Sequence, residues 1–248
     1  MKSVSKSARL FLRMGVVAGV MLFSQQSLAQ GTDAGVVISN QASVDYEVNG
    51  LNQPDILSTD ANSPPGTGDA TTFVVDRRVE FTLTEIGGVH TEVQPGDVQA
   101  FTEFQLTNDG NAIMDFALAL VDLTSADAQV HGEDDTDDVL SNFAIRVANG
   151  DGAAGVPDFA TDLAYVDELG EGETVVIYVF ADAGAALPND AYDNFTLNAT
   201  AADDANAAAT PGALDALLTE SAGADDPTVI ESVFANASGA DGSGAAGR

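Results

Sequence analysis

The segment Val147-Ala148-Asn149-Gly150-Asp151-Gly152, with Asp158 further on, has the spacing of a calcium loop. Loops of the D-x-N-x-D-G type place carboxylate or amide oxygens at positions 1, 3 and 5, a glycine at 6 for the turn, and an acid at 12. Asn149, Asp151, Gly152 and Asp158 fall at positions 3, 5, 6 and 12 of that pattern. Position 1 is Val147, whose side chain has no ligand oxygen. The competing reading is a tight metal-free turn closing a strand, since Asn, Gly and Asp favour turns without any ion. Calcium is therefore the candidate cofactor, and Asn149, Asp151 and Asp158 are its candidate ligands.

Other chemistry-bearing residues give weaker patterns. Glu133, Asp134, Asp135, Asp137 and Asp138 form an acidic run that could collect cations or stay a solvated loop. His90 sits beside Gly87-Gly88 and His131 opens the acidic loop, but neither has a recognisable nucleophile partner. No G-x-S-x-G elbow or H-E-x-x-H pair occurs. Gly242, Gly244 and Gly247 match the letter of a dinucleotide fingerprint, yet lack the flanking strand and helix that make it bind phosphate. The 39 acids guarantee close carboxylate pairs of the kind glycosidases use, so none stands out, and the absence of Trp removes the usual sugar-stacking platform. No catalytic residue is assigned, and an extracellular hydrolase is the most remote of the functional readings.

The composition narrows the setting of these residues. Lys2, Lys6 and Arg9 precede the apolar run Leu10–Phe23, which only Arg13 interrupts, and Ser27-Leu28-Ala29 follows with small residues. Basic start, apolar middle and small-residue end are the order of a secretory signal peptide, here residues 1–29. The run is too short and too interrupted for a membrane anchor, so no membrane insertion is expected after cleavage. Four of the eight basic residues lie in this leader, so the formal charge of −31 becomes −35 for the remaining 219 residues. Only Arg77, Arg78, Arg146 and Arg248 then face 39 acids, which excludes nucleic acid and an anionic membrane surface as partners. There is no cysteine, so disulfides, catalytic thiols and Cys-ligated metals are excluded as well.

Strands must position everything else, because period-2 alternation recurs along the whole chain. Ile38, Ala42, Val44, Tyr46 and Val48 share one parity. Val79, Phe81 and Leu83 follow, then Val98, Ala100, Phe104 and Leu106, then Met114, Phe116, Leu118 and Leu120, then Phe143, Ile145 and Val147. The run Val175–Ala181 is apolar on both parities, as expected of a central strand. Phe195, Leu197 and Ala199 alternate with polar residues, and Val229–Ala235 supplies a last strand. Asn49-Gly50, Pro64-Pro65-Gly66, Pro95-Gly96 and Asn108-Asp109-Gly110 mark turns between such runs. The expected fold is all-β: an antiparallel two-sheet sandwich of about nine strands over residues 30–235. At most one short helix is expected, at Thr210–Glu220, with Pro211 at its first position. Residues 236–248 read as a flexible tail or linker of Gly, Ala and Ser. Phe81, Phe104, Phe116, Ile145, Ile177 and Phe195 are the expected core, and Arg77, at inward parity, needs a carboxylate or a route to solvent.

The stretches AGVVISNQASVDYEVNG, TTFVVDRRVEFTLTE, FQLTNDGNAIMDFALAL and GEGETVVIYVFADAG resemble the N-terminal region of bacterial secreted or cell-surface proteins with conserved Ig-like repeats. The resemblance spans nearly all of the chain after the leader. It implies an Ig-like β-sandwich, an extracellular or cell-surface location, and a structural or interaction role with an unidentified surface partner. It implies no catalytic residues. A calcium-dependent adhesion or ligand-binding module is the alternative reading.

Overall fold

Two four-stranded antiparallel sheets carry the alternation seen in the sequence. The computed structural model describes residues 31–59, 68–87, 91–123, 139–148, 162–188, 191–204, 213–235 and the strand at 243–247. In chain order the strands are β1 (Val37–Asn40), β2 (Ser43–Val44), β3 (Glu47–Val48), β4 (Leu51–Asn52), β5 (Ile56–Leu57), β6 (Thr71–Val74), β7 (Arg77–Val79) and β8 (Phe81–Glu85). There follow β9 (Ala100–Asn108), β10 (Met114–Asp122), β11 (Leu140–Val147), β12 (Tyr165–Leu169), β13 (Thr174–Ala183), β14 (Phe195–Ala202), β15 (Ser232–Phe234) and β16 (Ser243–Gly247). One sheet runs β11-β13-β9-β8 and the other β12-β10-β14-β16. No helix occurs among the described residues.

The core forms where the two inner faces meet. Phe104 and Leu106 of β9, Ile177 and Val179 of β13 and Val147 of β11 pack against Met114 and Phe116 of β10, Val166 and Leu169 of β12 and Phe195 and Leu197 of β14. Phe104 and Phe195 bring their ring centroids to 6.2 Å, and Phe81 meets Phe116 edge-on at 5.1 Å. Of the six core residues expected from parity, Phe104, Phe116, Ile177 and Phe195 are buried. Phe81 and Ile145 are partly buried against the same cluster. β13 is an inner strand, and Ile177 through Ala181 are all buried, as its two-sided apolar run requires. On its outer face Tyr178 and Phe180 stack and Phe101 of β9 meets both, which hides rings that would otherwise face water.

The TNDGN turn between β9 and β10 is a buried hub. Asn108 is fully buried; its side-chain nitrogen donates to Ala112 O and Leu169 O, both at 2.9 Å, and its oxygen accepts from Gly110 N. Asn111 accepts from Arg78 N at 2.6 Å and donates to Thr32 O and Asp76 O. A Cβ on Gly110 would lie 2.5 Å from Arg78 O, a backbone atom, so only glycine fits there.

Several expectations are corrected. Val98 lies outside β9 and is 74% exposed, because Gln99 takes left-handed φ (54°) and ends the alternation before Ala100. Residues 213–220 are not helical: Leu217 bridges Ala202, and Leu218 N donates to Ala201 O, so the segment is held by pairing to the end of β14. Within the stretch expected to be flexible, β16 pairs antiparallel with β14, which backbone groups alone can do. β12 escaped the period-2 reading. Its Val166 and Leu169 both face the core although they are three residues apart, because a bulge, with Glu168 at φ 54°, shifts its register against β10.

Candidate functional site

The proposed calcium ligands Asn149, Asp151 and Asp158 lie outside the described residues, as do His90, His131 and the run Glu133–Asp138. Their neighbour Val147 closes β11 as a core residue, with its N–H donating to Leu163 O at 2.9 Å. The first position of that loop pattern is thus committed to packing.

Acidic side chains cluster instead on the β12-β10-β14 sheet, around Asp115. This β10 residue is only 1% exposed, and its carboxylate accepts Glu168 N at 2.9 Å and Asp215 N at 3.3 Å. The bulge in β12 turns the Glu168 N–H toward it. Burial pushes the Asp115 carboxyl above its usual 3.8 against the pull of these two hydrogen bonds, and Asp167 and Asp204 add repulsion. Asp204 is raised by burial first and then by Glu168, Asp215, Asp203 and Asp167. Arg77 reaches this cluster and pairs with Asp203 at 2.7 Å, which supplies the carboxylate its parity demanded. Burial and mutual repulsion make Asp115 and Asp204 hold their protons more tightly than free carboxyls, while both oxygens of Asp115 serve backbone N–H groups.

A second acidic group joins distant parts of the chain. Asp76, Asp225 and Glu231 each offer an oxygen within 4.8 Å of the others. Asp76 Oδ1 accepts Glu231 N at 3.0 Å, and β15 runs parallel to β7 beside it. Three carboxylate oxygens at this spacing are the donor type hard cations take. No sequence signal links residues this far apart, so the spacing patterns of the chain did not reveal the group.

One end of the sandwich opens into a cavity of about 460 Å³ lined by Thr91, Thr102, Val179, Leu187, Tyr192 and Phe195 among others. Thr91 and Thr102 share a hydroxyl hydrogen bond of 2.8 Å within it, and Asp193 accepts Val139 N and Leu140 N at its rim. Its volume lies in the range of small-molecule pockets, and its walls mix apolar side chains with Thr91, Glu92, Thr102, Asp193 and Asn194.

The last feature is the segment before β7. β1 pairs with β6, β2 with β5 and β3 with β4, so residues 37–57 and 71–74 form the nested antiparallel pairs of one interrupted hairpin. Its tip is Asn49-Gly50, both with positive φ (53° and 77°), as a type I′ turn requires. No residue from 31 to 59 is buried, although the arm carries Val44, Tyr46, Val48, Leu51 and Ile56. Its base is tied to the sandwich through Ala34 N to Asn111 O and Asn111 Nδ2 to Thr32 O.

No protein-family model matches the chain, and neither a curated protein nor a solved structure matches it.

Proposed function

We propose that the chain is an exported, acidic β-sandwich module displayed at the cell surface or released, with a structural or interaction role. The observation that carries this reading is how polar and apolar groups are distributed. Asn108, Asn111 and Asp115 direct their side chains to backbone groups, whereas large apolar side chains are left in water along the hairpin arm. Exposed apolar surface of that kind suits contact with a partner better than chemistry on a substrate. The leader-like order of residues 1–29, the charge of −35 after it and the resemblance to secreted Ig-like modules support export. In the native host the protein should be recovered outside the cytoplasm with Gln30 at its N-terminus, read by mass spectrometry. A full-length cytoplasmic product overturns the reading.

The second reading, a calcium-dependent adhesion or ligand-binding module, draws on the Asp76–Asp225–Glu231 group and on the Asn149–Asp158 loop. Binding to the folded state alone raises the unfolding midpoint as calcium exceeds its dissociation constant. An unchanged midpoint at millimolar calcium removes this reading.

A further inference from the structure

We propose that the β1–β6 hairpin is a docking arm for an extended polypeptide segment of another protein that carries alternating apolar and basic residues. This inference rests on the interaction role proposed above and gives it a surface and a partner chemistry.

The apolar residues of the arm are ordered. Directly opposed residues in an antiparallel ladder lie on one face. The opposed pairs Ile38–Phe73, Val44–Ile56 and Val48–Leu51 are therefore each on one face, and residues 38, 44, 46 and 48 share one parity. Within this row Ile38, at the base, is half-buried, and the other residues run from 41% exposed at Tyr46 to 69% at Leu51. A two-stranded ribbon has no second layer of its own, and such hairpins are marginally stable in water unless a further strand or layer is added. Each of the three ladders has only two strands among the described residues; Val74 N at the outer edge of β6 already donates to Pro227 O, so it is the edges of the β2–β5 and β3–β4 ladders that offer backbone N–H and C=O groups. An added extended segment can pair with such an edge while its alternate side chains cover the apolar row.

Charge selects among occupants. Asp45 and Glu47 stand at the opposite parity, and Asp55 lies on the return strand. Asp55 is held above its usual 3.8 by the hydrogen bond its protonated form donates to the Asp45 carboxylate and by that residue's charge. No basic residue occurs from 31 to 76. Two like-charged groups pressed together are relieved by a cation brought between them. A lysine- or arginine-bearing segment supplies one; a second copy of this chain, at −35, does not, and an anionic lipid surface is repelled.

The test uses the purified protein and a labelled ten-residue peptide alternating lysine with valine and tyrosine, with a glutamate-for-lysine counterpart as control. The variant combines Val44→Ser, Leu51→Ser and Ile56→Ser, all at exposed positions, so its net charge is unaltered and its melting curve should be too. The lysine peptide is expected to bind the native arm, to bind the variant at least tenfold more weakly, and to lose affinity as salt rises. The glutamate peptide should not bind. A separate pair, Asp45→Asn with Glu47→Gln, keeps the apolar row and should flatten the salt dependence. Equal binding to the serine variant would mean general attraction to an acidic body and would overturn the proposal. So would no binding of the lysine peptide, a dimer in sedimentation that the serine changes abolish, or binding of phosphatidylcholine vesicles that depends on the arm. None of these outcomes bears on export, which N-terminal mass spectrometry decides independently.

Discussion

Asp115 shows how one buried carboxylate organises its surroundings and what that implies for pH. Its two oxygens hold the Glu168 and Asp215 N–H groups, so Asp115→Ala would leave both donors without their acceptor. A fully buried orphaned donor costs about 1–3 kcal/mol, and these two, being part-buried, should each cost at most the lower end of that range. Because Asp115 and Asp204 have folded values raised above 3.8, their ionisation is harder in the folded state than in the unfolded one. Their contribution is fully present at low pH and is lost as pH rises through the raised values. Asp182 and Asp226 have lowered values, from hydrogen bonds with Asn142 and Gln99 and with Thr228 respectively. Their contribution is lost as pH falls through values below 3.8. The melting temperature should therefore rise as pH falls through the raised values toward 3.8, then drop below 3.8 as Asp182 and Asp226 take up protons. Asp115→Asn should show a smaller rise. A melting temperature that falls steadily from pH 7 downward contradicts this account.

At the scale of elements, parity predicted register wherever the ladder is regular. β9 and β13 pair Phe104 with Ile177 and Leu106 with Val175, and β10 pairs Phe116 with Ala201 on β14. Phe104→Ala and Ile177→Ala each remove a fully buried side chain and should cost roughly 2–5 kcal/mol in chemical denaturation. Val98→Ala, placed in the same strand by parity but lying beyond Gln99 in water, should cost less than about 0.5 kcal/mol. The reverse order of costs would mean that the register of β9 is wrong. Parity failed at β12, where the bulge at Glu168 changes the spacing of inward residues, which a strict period of two cannot register; in β11 the irregularity near Asn142 leaves Phe143, Ile145 and Val147 on the core side as expected.

For the whole molecule the decisive quantity is charge. Residues 30–248 hold four arginines against 39 acids; Arg77 pairs with Asp203 and Arg78 with Glu80. Like-charge repulsion therefore opposes the compact state, and mobile ions shorten its reach to a few ångströms at high salt. Raising sodium chloride from low to marine-like concentration should raise the melting temperature. A decrease would show that local ion pairs outweigh the diffuse repulsion.

The all-β class, the central place of Val175–Ala181 and most of the core were legible because they depend on local alternation, which the chain writes residue by residue. The acidic character was legible from composition alone. The clusters were not. Asp115 meets Asp215, and Asp76 meets Asp225 and Glu231, only after strands far apart in the chain have been laid side by side. The arm was half legible: its alternation and its Asn49-Gly50 turn are in the sequence. That its apolar row faces water rather than a second sheet was decided by tertiary structure, because burial depends on which other element comes to cover a face, and a strand's own pattern names no partner.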